Sequence, residues 1–351
     1  MLRGVLEAQA PPKQNATDTI SVLSGRLASA TLLEDRRGAI LGLRSFAKRY
    51  PASVASGSLR ALIGVLTQDT EDVETAKSVL ETLLMLFNPD ANSPEASDDI
   101  ALWLADEFSV RQDNITVLLS LLETTDFYSR LYALQLLTAI ASARPERTQD
   151  CILSAPLGTT RLVATLEDAR EAVRSAGLLL LTDITQASPE LQKLVAFENA
   201  FERIFKMLRL EGSFGQGGIV VQDCLALLAN LLDLNPSNQS LFRESGFFAT
   251  LVKLLSEDAH AAQQATNGDA GINNTRDKNI WGLLAILKMF LVQGNTGTQA
   301  NQNAFEKQGL LQAVMIMGFD HTLGPTVRAE VCALPSIRRT FLIRLGVIYM
   351  C

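Results

Sequence analysis

The sequence predicts an all-α chain built from stacked helical repeats, and three observations carry that reading. First, a segment occurs twice. Residues 173–208 and 220–255 register without a gap at a shift of 47 positions. Leu178, Leu180, Leu181 and Ile184 fall on Leu225, Leu227, Leu228 and Leu231, and Ser188-Pro189 falls on Asn235-Pro236. Leu194, Phe201, Ile204 and Leu208 fall on Leu241, Phe248, Leu251 and Leu255. Second, the repeat continues both ways. Residues 133–145 match 177–189 at a shift of 44, and residues 301–311 mirror 238–248 at an offset of 63. Third, 47% of the 351 residues are hydrophobic, 20% are charged and only 6% are aromatic, a folded composition rich in the small and aliphatic residues that close helix stacking needs. A helical period of about 40–47 residues belongs to armadillo or HEAT units, each of which buries its apolar face only against its neighbours. Each unit here reads as a long apolar helix, a break at Pro or Asn, a short helix, a Gly or Asn turn and another apolar helix. Three helices favour armadillo over HEAT, so the expected fold is an armadillo-like right-handed helical solenoid. Repeats add without forming separate cores. The expected organisation is therefore a frayed lead-in over residues 1–16, one elongated domain over 17–330 and an atypical tail over 331–351.

The elements follow in order. After Pro11-Pro12, helices are expected over residues 20–30, then 34–50 where Pro51 stops the chain, then 58–67 and 73–87. Residues 88–99 form an acidic loop with two prolines, and helices resume at Ile100. Further loops are expected at 211–218 (glycine-rich and flexible), 257–277 (polar and mobile) and 293–302. Leu181 and Leu228 lie on the apolar stripe of the long helix in their units, and Phe197, Phe201 and Ile204 are expected to face inward.

Charge and residue usage exclude several function classes. The net charge is −7 and the pI about 5.1, with no Lys/Arg run beyond pairs such as Arg36-Arg37, so the basic face that nucleic acid requires is missing. Cys151, Cys224, Cys332 and Cys351 have neither zinc spacing nor the density of a disulfide framework, and Cys151 and Cys224 read as small core residues. The opening residues lack the apolar run of a signal peptide, and the apolar run from Trp281 to Val292 is broken by Lys288. A reducing cytosol is the expected compartment, and the sequons at Asn15, Asn114, Asn238 and Asn273 are coincidental there. His260 and His321, the two histidines, have no third ligand nearby for a metal site, and no Ser or Cys has a credible histidine partner for a nucleophilic triad. The glycines at 212–218 lack the Lys-Ser/Thr that completes a phosphate loop. No enzyme activity, metal or cofactor is expected.

Surface recognition is what remains. Armadillo proteins that grip extended peptides in the concave groove carry an asparagine ladder with a tryptophan one turn earlier. Here Asn230 has Asp183 and Ala139 as its counterparts and Ala226 one turn before it, which weakens the alternative of a peptide-binding adaptor or transport receptor. Glu198, Asn199, Glu202 and Arg203 cluster at helical spacing and are candidate partner contacts. Arg36 and Arg37, which follow Glu34-Asp35 at a helix start, are further candidates.

Several stretches resemble the general vesicular transport factor family of ER-to-Golgi tethers. They are residues 195–205 (VAFENAFERIF), 217–225 (GGIVVQDCL) with Asn238-Gln239, the opening Leu2-Arg3-Gly4-Val5, and residues 31–37 (TLLEDRR). The resemblance covers roughly residues 1–330. It implies an armadillo head on a homodimeric peripheral membrane protein with a coiled coil and an acidic tail. The implied partners are a Rab-family GTPase, SNARE proteins and Golgi tethering proteins. The implied location is cytoplasmic, on Golgi and ER-to-Golgi transport vesicle membranes. Neither heptads nor an acidic tail occur in these 351 residues. From Val331 onward the family pattern is lost: Pro335 interrupts, and Phe341, Leu342, Ile343, Leu345, Val347, Ile348 and Tyr349 follow with no polar cap. That tail is expected to lie outside the family fold, as a gene-model artefact would.

Overall fold

A computed structural model describes residues 15–69, 71–264, 270–292, 294 and 296–334. Among these residues there are helices and turns and no strand. The chain divides into two compact units, Met1–Gly158 and Thr159–Cys351. No single described helix is long and apolar enough to cross a membrane.

The first unit contains α1 (Ala16–Ser29), α2 (Leu33–Ala47), α3 (Pro51–Gln68), α4 (Val73–Phe87), α5 (Asp98–Ser109), α6 (Gln112–Ser120), α7 (Phe127–Ala143) and α8 (Pro145–Ser154). The long helices stack in turn, α2 on α4 and α4 on α7. Their starts are set by capping. Asn15 Oδ1 accepts from Asp18 N at 2.7 Å, Asp72 from Thr75 N at 3.0 Å and Asp126 from Ser129 N at 2.7 Å, each satisfying an orphan first-turn N–H. Pro51 is a start as well as a stop: it opens α3, seven residues before the expected Ser58, because its missing N–H costs nothing in a first turn.

In the second unit, after the boundary helix α9 (Gly158–Ala164), come α10 (Glu171–Thr185), α11 (Pro189–Phe197), α12 (Ala200–Leu210), α13 (Ser213–Gln216), α14 (Ile219–Leu232), α15 (Pro236–Glu244) and α16 (Phe247–Gln264). Then follow α17 (Ala270–Met289), α18 (Thr298–Lys307), α19 (Leu310–Gly318) and α20 (Pro325–Ala333). Here α10 packs on α14, α14 on α17 and α17 on α20. The duplicated sequence becomes duplicated structure. Ser188 caps α11 and Asn235 caps α15, each just before a first-turn proline. In three repeats the turn into the last helix is left-handed at a residue type that tolerates positive φ, Asn199 (φ 62°), Gly246 (φ 78°) and Gly309 (φ 78°), whereas the turn into α9 places Leu157 there (φ 57°). Leu181 and Leu228 are 0% and 2% exposed.

Four expectations change. Residues 257–264 and 270–277 are helical rather than a polar loop: α16 runs on through Gln264 and α17 starts at Ala270, while residues 265–269 lie outside the described residues. Part of their charge is internal: Arg276 donates to Asp258 Oδ2 at 2.8 Å and to Asp320 Oδ2 at 3.1 Å, with both the Arg276 and Asp258 side chains buried. The glycine-rich stretch is pinned rather than loose. Phe214 is fully buried, and Asn279 Nδ2 donates to the carbonyls of Phe214 (3.0 Å) and Gly217 (2.8 Å). Phe197 is 75% exposed, because it ends α11 and the left-handed Asn199 puts it out of phase with the buried Phe201 and Ile204. The fourth concerns the last residues. The boundary at 330 falls inside α20, whose Val331 is buried, as is Leu334 just beyond it, while residues 335–351 lie outside the described residues.

Candidate partner-binding surface

The short helix α11 and the helix α12 meet at Asn199, and this corner faces α15 and α16 across a cleft of about 560 Å³. Four phenylalanines line it. Phe201 and Phe205 are anchored in the core. Phe247 stacks on Phe205 with ring centroids 5.3 Å apart and meets Phe201 edge-on at 5.6 Å. Phe197 stands at the mouth. Glu202 and Arg209, both exposed, give the rim one charge of each sign. An exposed aromatic beside a partly filled aromatic cleft with charged edges is the kind of site that dominates protein interfaces.

The candidate residues fall into two groups. Asn199 and Glu202 line the cleft. Glu198 and Arg203 brace it from behind. Glu198 Oε1 accepts from Thr160 Oγ1 at 2.9 Å. Arg203 pairs with Glu167 at 3.1 Å, and its Nη1 donates to the Val163 carbonyl at 3.4 Å. A hydrogen bond from Lys206, helped by the charge of Arg203, holds the Glu167 carboxyl below the usual range. Arg36 and Arg37 lie in the other unit. Arg36 grips Asp69 through two 2.8 Å bonds and also donates to the carbonyls of Ala30 and Thr31. Arg37 pairs with Asp72 at 2.8 Å.

The sequence reading missed what makes this corner rigid. It sought an asparagine ladder on the long helices, but apart from Asn279 the buried amides sit at the starts of the short ones. Gln192 Nε2 donates to the Thr185 carbonyl at 2.9 Å, and its register mate Gln239 donates to the Leu232 carbonyl at 3.0 Å. Asn235 Nδ2 donates to Gln192 Oε1 at 3.0 Å, and Asn238 Nδ2 to the carbonyls of Gln192 (3.0 Å) and Leu231 (2.8 Å). Asn301, the mate of Asn238, donates to the Phe290 carbonyl at 3.0 Å. The bonds to Thr185, Leu231, Leu232 and Phe290 satisfy helix-end carbonyls, and those from Asn235 and Asn238 to Gln192 tie one repeat to the next. The signal was present in the sequence as polar residues recurring at one register position, 191-192, 238-239 and 301-302, of which only Leu191 is apolar.

No family model matches the chain. The intracellular protein transport protein USO1 of Saccharomyces cerevisiae is 35% identical over 348 residues, spanning 91% of this chain and 19% of that protein. Its Schizosaccharomyces pombe counterpart uso1 is 40% identical over 84% of this chain and 27% of its own length. The general vesicular transport factor p115 of Bos taurus is 36% identical over 89% of this chain and 32% of its own length. Over this length the chain is homologous to the Uso1/p115 vesicular transport factors. The crystal structure of Uso1-2 superposes with a TM-score of 0.84 at 34% identity, covering 94% of this chain and 51% of that one. Computationally designed armadillo repeat proteins share the fold alone, with a TM-score of 0.55 at 16% identity over 75% of this chain. Against the Uso1/p115 proteins themselves, the chain spans only about a fifth to a third of their length.

Proposed function

We propose that this chain is a non-enzymatic recognition module of a vesicle-transport factor, acting in ER-to-Golgi vesicle docking by binding other proteins through its surface. Homology to the Uso1/p115 factors over most of the chain supports the process. The observation that carries the recognition role is the cleft at Phe197, an aromatic site open to solvent on a braced corner. Phe197, Asn199 and Glu202 make the contact, while Glu198 and Arg203 hold the corner in place. Arg36 and Arg37 serve the equivalent bracing role in the first unit. A Rab-family GTPase, SNARE proteins and Golgi tethering proteins are the proposed partners. The module works in the cytoplasm, peripherally on Golgi and transport-vesicle membranes, within a homodimeric factor.

The test is a pull-down of GTP-analogue-loaded and GDP-loaded Rab-family GTPases and of SNARE proteins, with the parent chain and with Phe197→Asp/Glu202→Lys. Both side chains are exposed, so the variant is expected to melt like the parent and to lose binding. Binding that survives both substitutions contradicts the site. A parent chain that retains none of these partners contradicts the role.

A further inference from the structure

Residues 88–97 join α4 to α5 in the first unit, and none of them is buried. A segment without buried side chains is held in place by its hydrogen bonds alone. Three of its residues dock it on the turn between α2 and α3 and on the first turn of α3. Asp90 N donates to the Lys48 carbonyl at 2.9 Å. Ser93 Oγ donates to the Arg49 carbonyl at 2.8 Å. Glu95 accepts from Ser53 N at 2.9 Å and from Ser53 Oγ, which satisfies one of the orphan first-turn N–H groups of α3. Ser93 links these contacts, because its Oγ also accepts from Glu95 N at 3.1 Å.

Ser93 is half-buried and is followed by the exposed Pro94. Ser-Pro is the dipeptide that proline-directed protein kinases modify. Proline also biases the residue before it towards the extended backbone that a kinase cleft accepts. The chain has one other Ser-Pro, Ser188-Pro189, and that one is closed to an enzyme: Ser188 is buried and its side chain caps α11. Ser93 lies instead between helices, on a segment whose few anchoring bonds let it open to a kinase without unfolding the repeats on either side.

We propose that Ser93 is a phosphorylation site for a proline-directed protein kinase, and that phosphate there frees residues 88–97 from the α2–α3 turn. The γ-phosphoryl group of ATP moves to Ser93 Oγ. Its bond to the bridging oxygen breaks and leaves ADP, an Oγ–P bond forms, and the hydroxyl proton passes to the kinase's carboxylate base. The product has lost the proton that bonded the Arg49 carbonyl. It also sets a group of charge about −1.5 to −2 against that carbonyl oxygen and two residues from the Glu95 carboxylate. Both changes push the segment off the turn. Lys48 and Arg49 are exposed, so pairing them with the phosphate orders two solvated side chains and gains little. Once Glu95 withdraws, the first turn of α3 loses its outside acceptor. The switch lies in the first unit, uses no residue of the Phe197 cleft and stands or falls apart from it.

The full chain is incubated with ATP and a cyclin-dependent or mitogen-activated protein kinase, and peptide mapping by mass spectrometry locates the phosphate. Phosphate is expected on Ser93 and not on Ser188. Hydrogen exchange of the phosphorylated chain should speed up about tenfold or more over residues 88–97 and at the start of α3, with residues 159–334 unchanged. Ser93→Ala, which removes the hydroxyl without adding charge, should quicken exchange over the same residues by less. Three results overturn the inference. The first is no phosphate on Ser93 of the folded chain. The second is phosphate on Ser188 at the same rate, which would mean that the kinase reads unfolded chain. The third is phosphorylation at Ser93 that leaves exchange over residues 88–97 unchanged or slower, as refastening on Lys48 and Arg49 would.

Discussion

The two units solve one problem, joining repeat to repeat, with different chemistry. In Met1–Gly158 the links are ion pairs between successive repeats: Arg36 with Asp69 and Arg37 with Asp72 at 2.8 Å, Arg60 with Glu107 at 2.6 Å, Arg144 with Asp106 at 2.7 Å, and Arg44 with Glu81. In Thr159–Cys351 ion pairs also occur, but the links in the core are the buried amides described above and a continuous phenylalanine cluster. Phe242 sits at its centre, 5.1 Å from both Phe201 and Phe247 and 5.4 Å from both Phe248 and Phe290. The difference matters because the two kinds of link fail differently. Apart from Arg36–Asp69, these pairs keep a share of their side-chain surface in water, so they are screened by salt and water takes their place when they break. A buried amide cannot be replaced by water, so its loss strands the carbonyls it served. The unit with the buried links is the one that presents the Phe197 cleft.

The largest expected effect is at the aromatic centre. Phe242→Ala should cost about 3–5 kcal/mol, because it removes a fully buried ring and leaves a cavity among four others. Its loss should also open the Phe197 cleft, since Phe201 and Phe247 lean on it. A cost under about 1 kcal/mol by denaturant unfolding would mean that the cluster is not continuous. Next is Asn238→Ala, which strands the carbonyl of Leu231 and breaks the bond to the Gln192 carbonyl, and is expected to cost about 1–3 kcal/mol, unchanged by added salt. Arg60→Ala, at an exposed pair in the first unit, should lower the melting temperature less than Asn238→Ala does, and molar salt should remove what remains of the effect. An Arg60 effect that persists in high salt, or an Asn238 effect that salt removes, would break the contrast.

Acid sharpens it further. Hydrogen bonds from Thr75 and then Arg37 depress the Asp72 carboxyl, and one from Arg144 depresses Asp106. A depressed carboxyl contributes stability that is complete above its unfolded value of 3.8 and is lost as pH falls through the folded one. Asp183 and Asp223 have the opposite sign: raised by burial, they cost stability when ionised and give it back as pH falls towards 3.8. The second unit also holds the depressed Glu167 and Asp320, so there the two signs offset. Native-state hydrogen exchange between about pH 5 and pH 3 should therefore show the first unit losing protection sooner. Equal loss in both units would contradict the assignment.

The repeat was legible because the joints are dictated locally. A cap before Pro at Ser188 and Asn235, and a left-handed turn at Asn199, Gly246 and Gly309, each follow from residue type alone. What was hidden depends on geometry across a bend. α14 and α15 meet at 116°, and only that angle brings Asn238 and Gln239 back to the carbonyls of Leu231 and Leu232. Asp258 and Arg276 looked like loop residues because composition does not reveal that two charges eighteen positions apart will bury each other. The Phe197 cleft was half legible. Asn199 and Glu202 were found by their polar spacing, whereas Phe197 was assigned inward because an exposed phenylalanine cannot be told from a core one until the turn after it is known.

Hydrogen exchange of the chain with and without a GTP-analogue-loaded Rab-family GTPase tests most directly whether recognition resides at that cleft. Protection is expected over residues 196–209 and 241–250, the segments that line it, and is expected to vanish with Phe197→Asp/Glu202→Lys. Protection confined to the Met1–Gly158 unit, or protection that persists unchanged in that variant, would contradict the account.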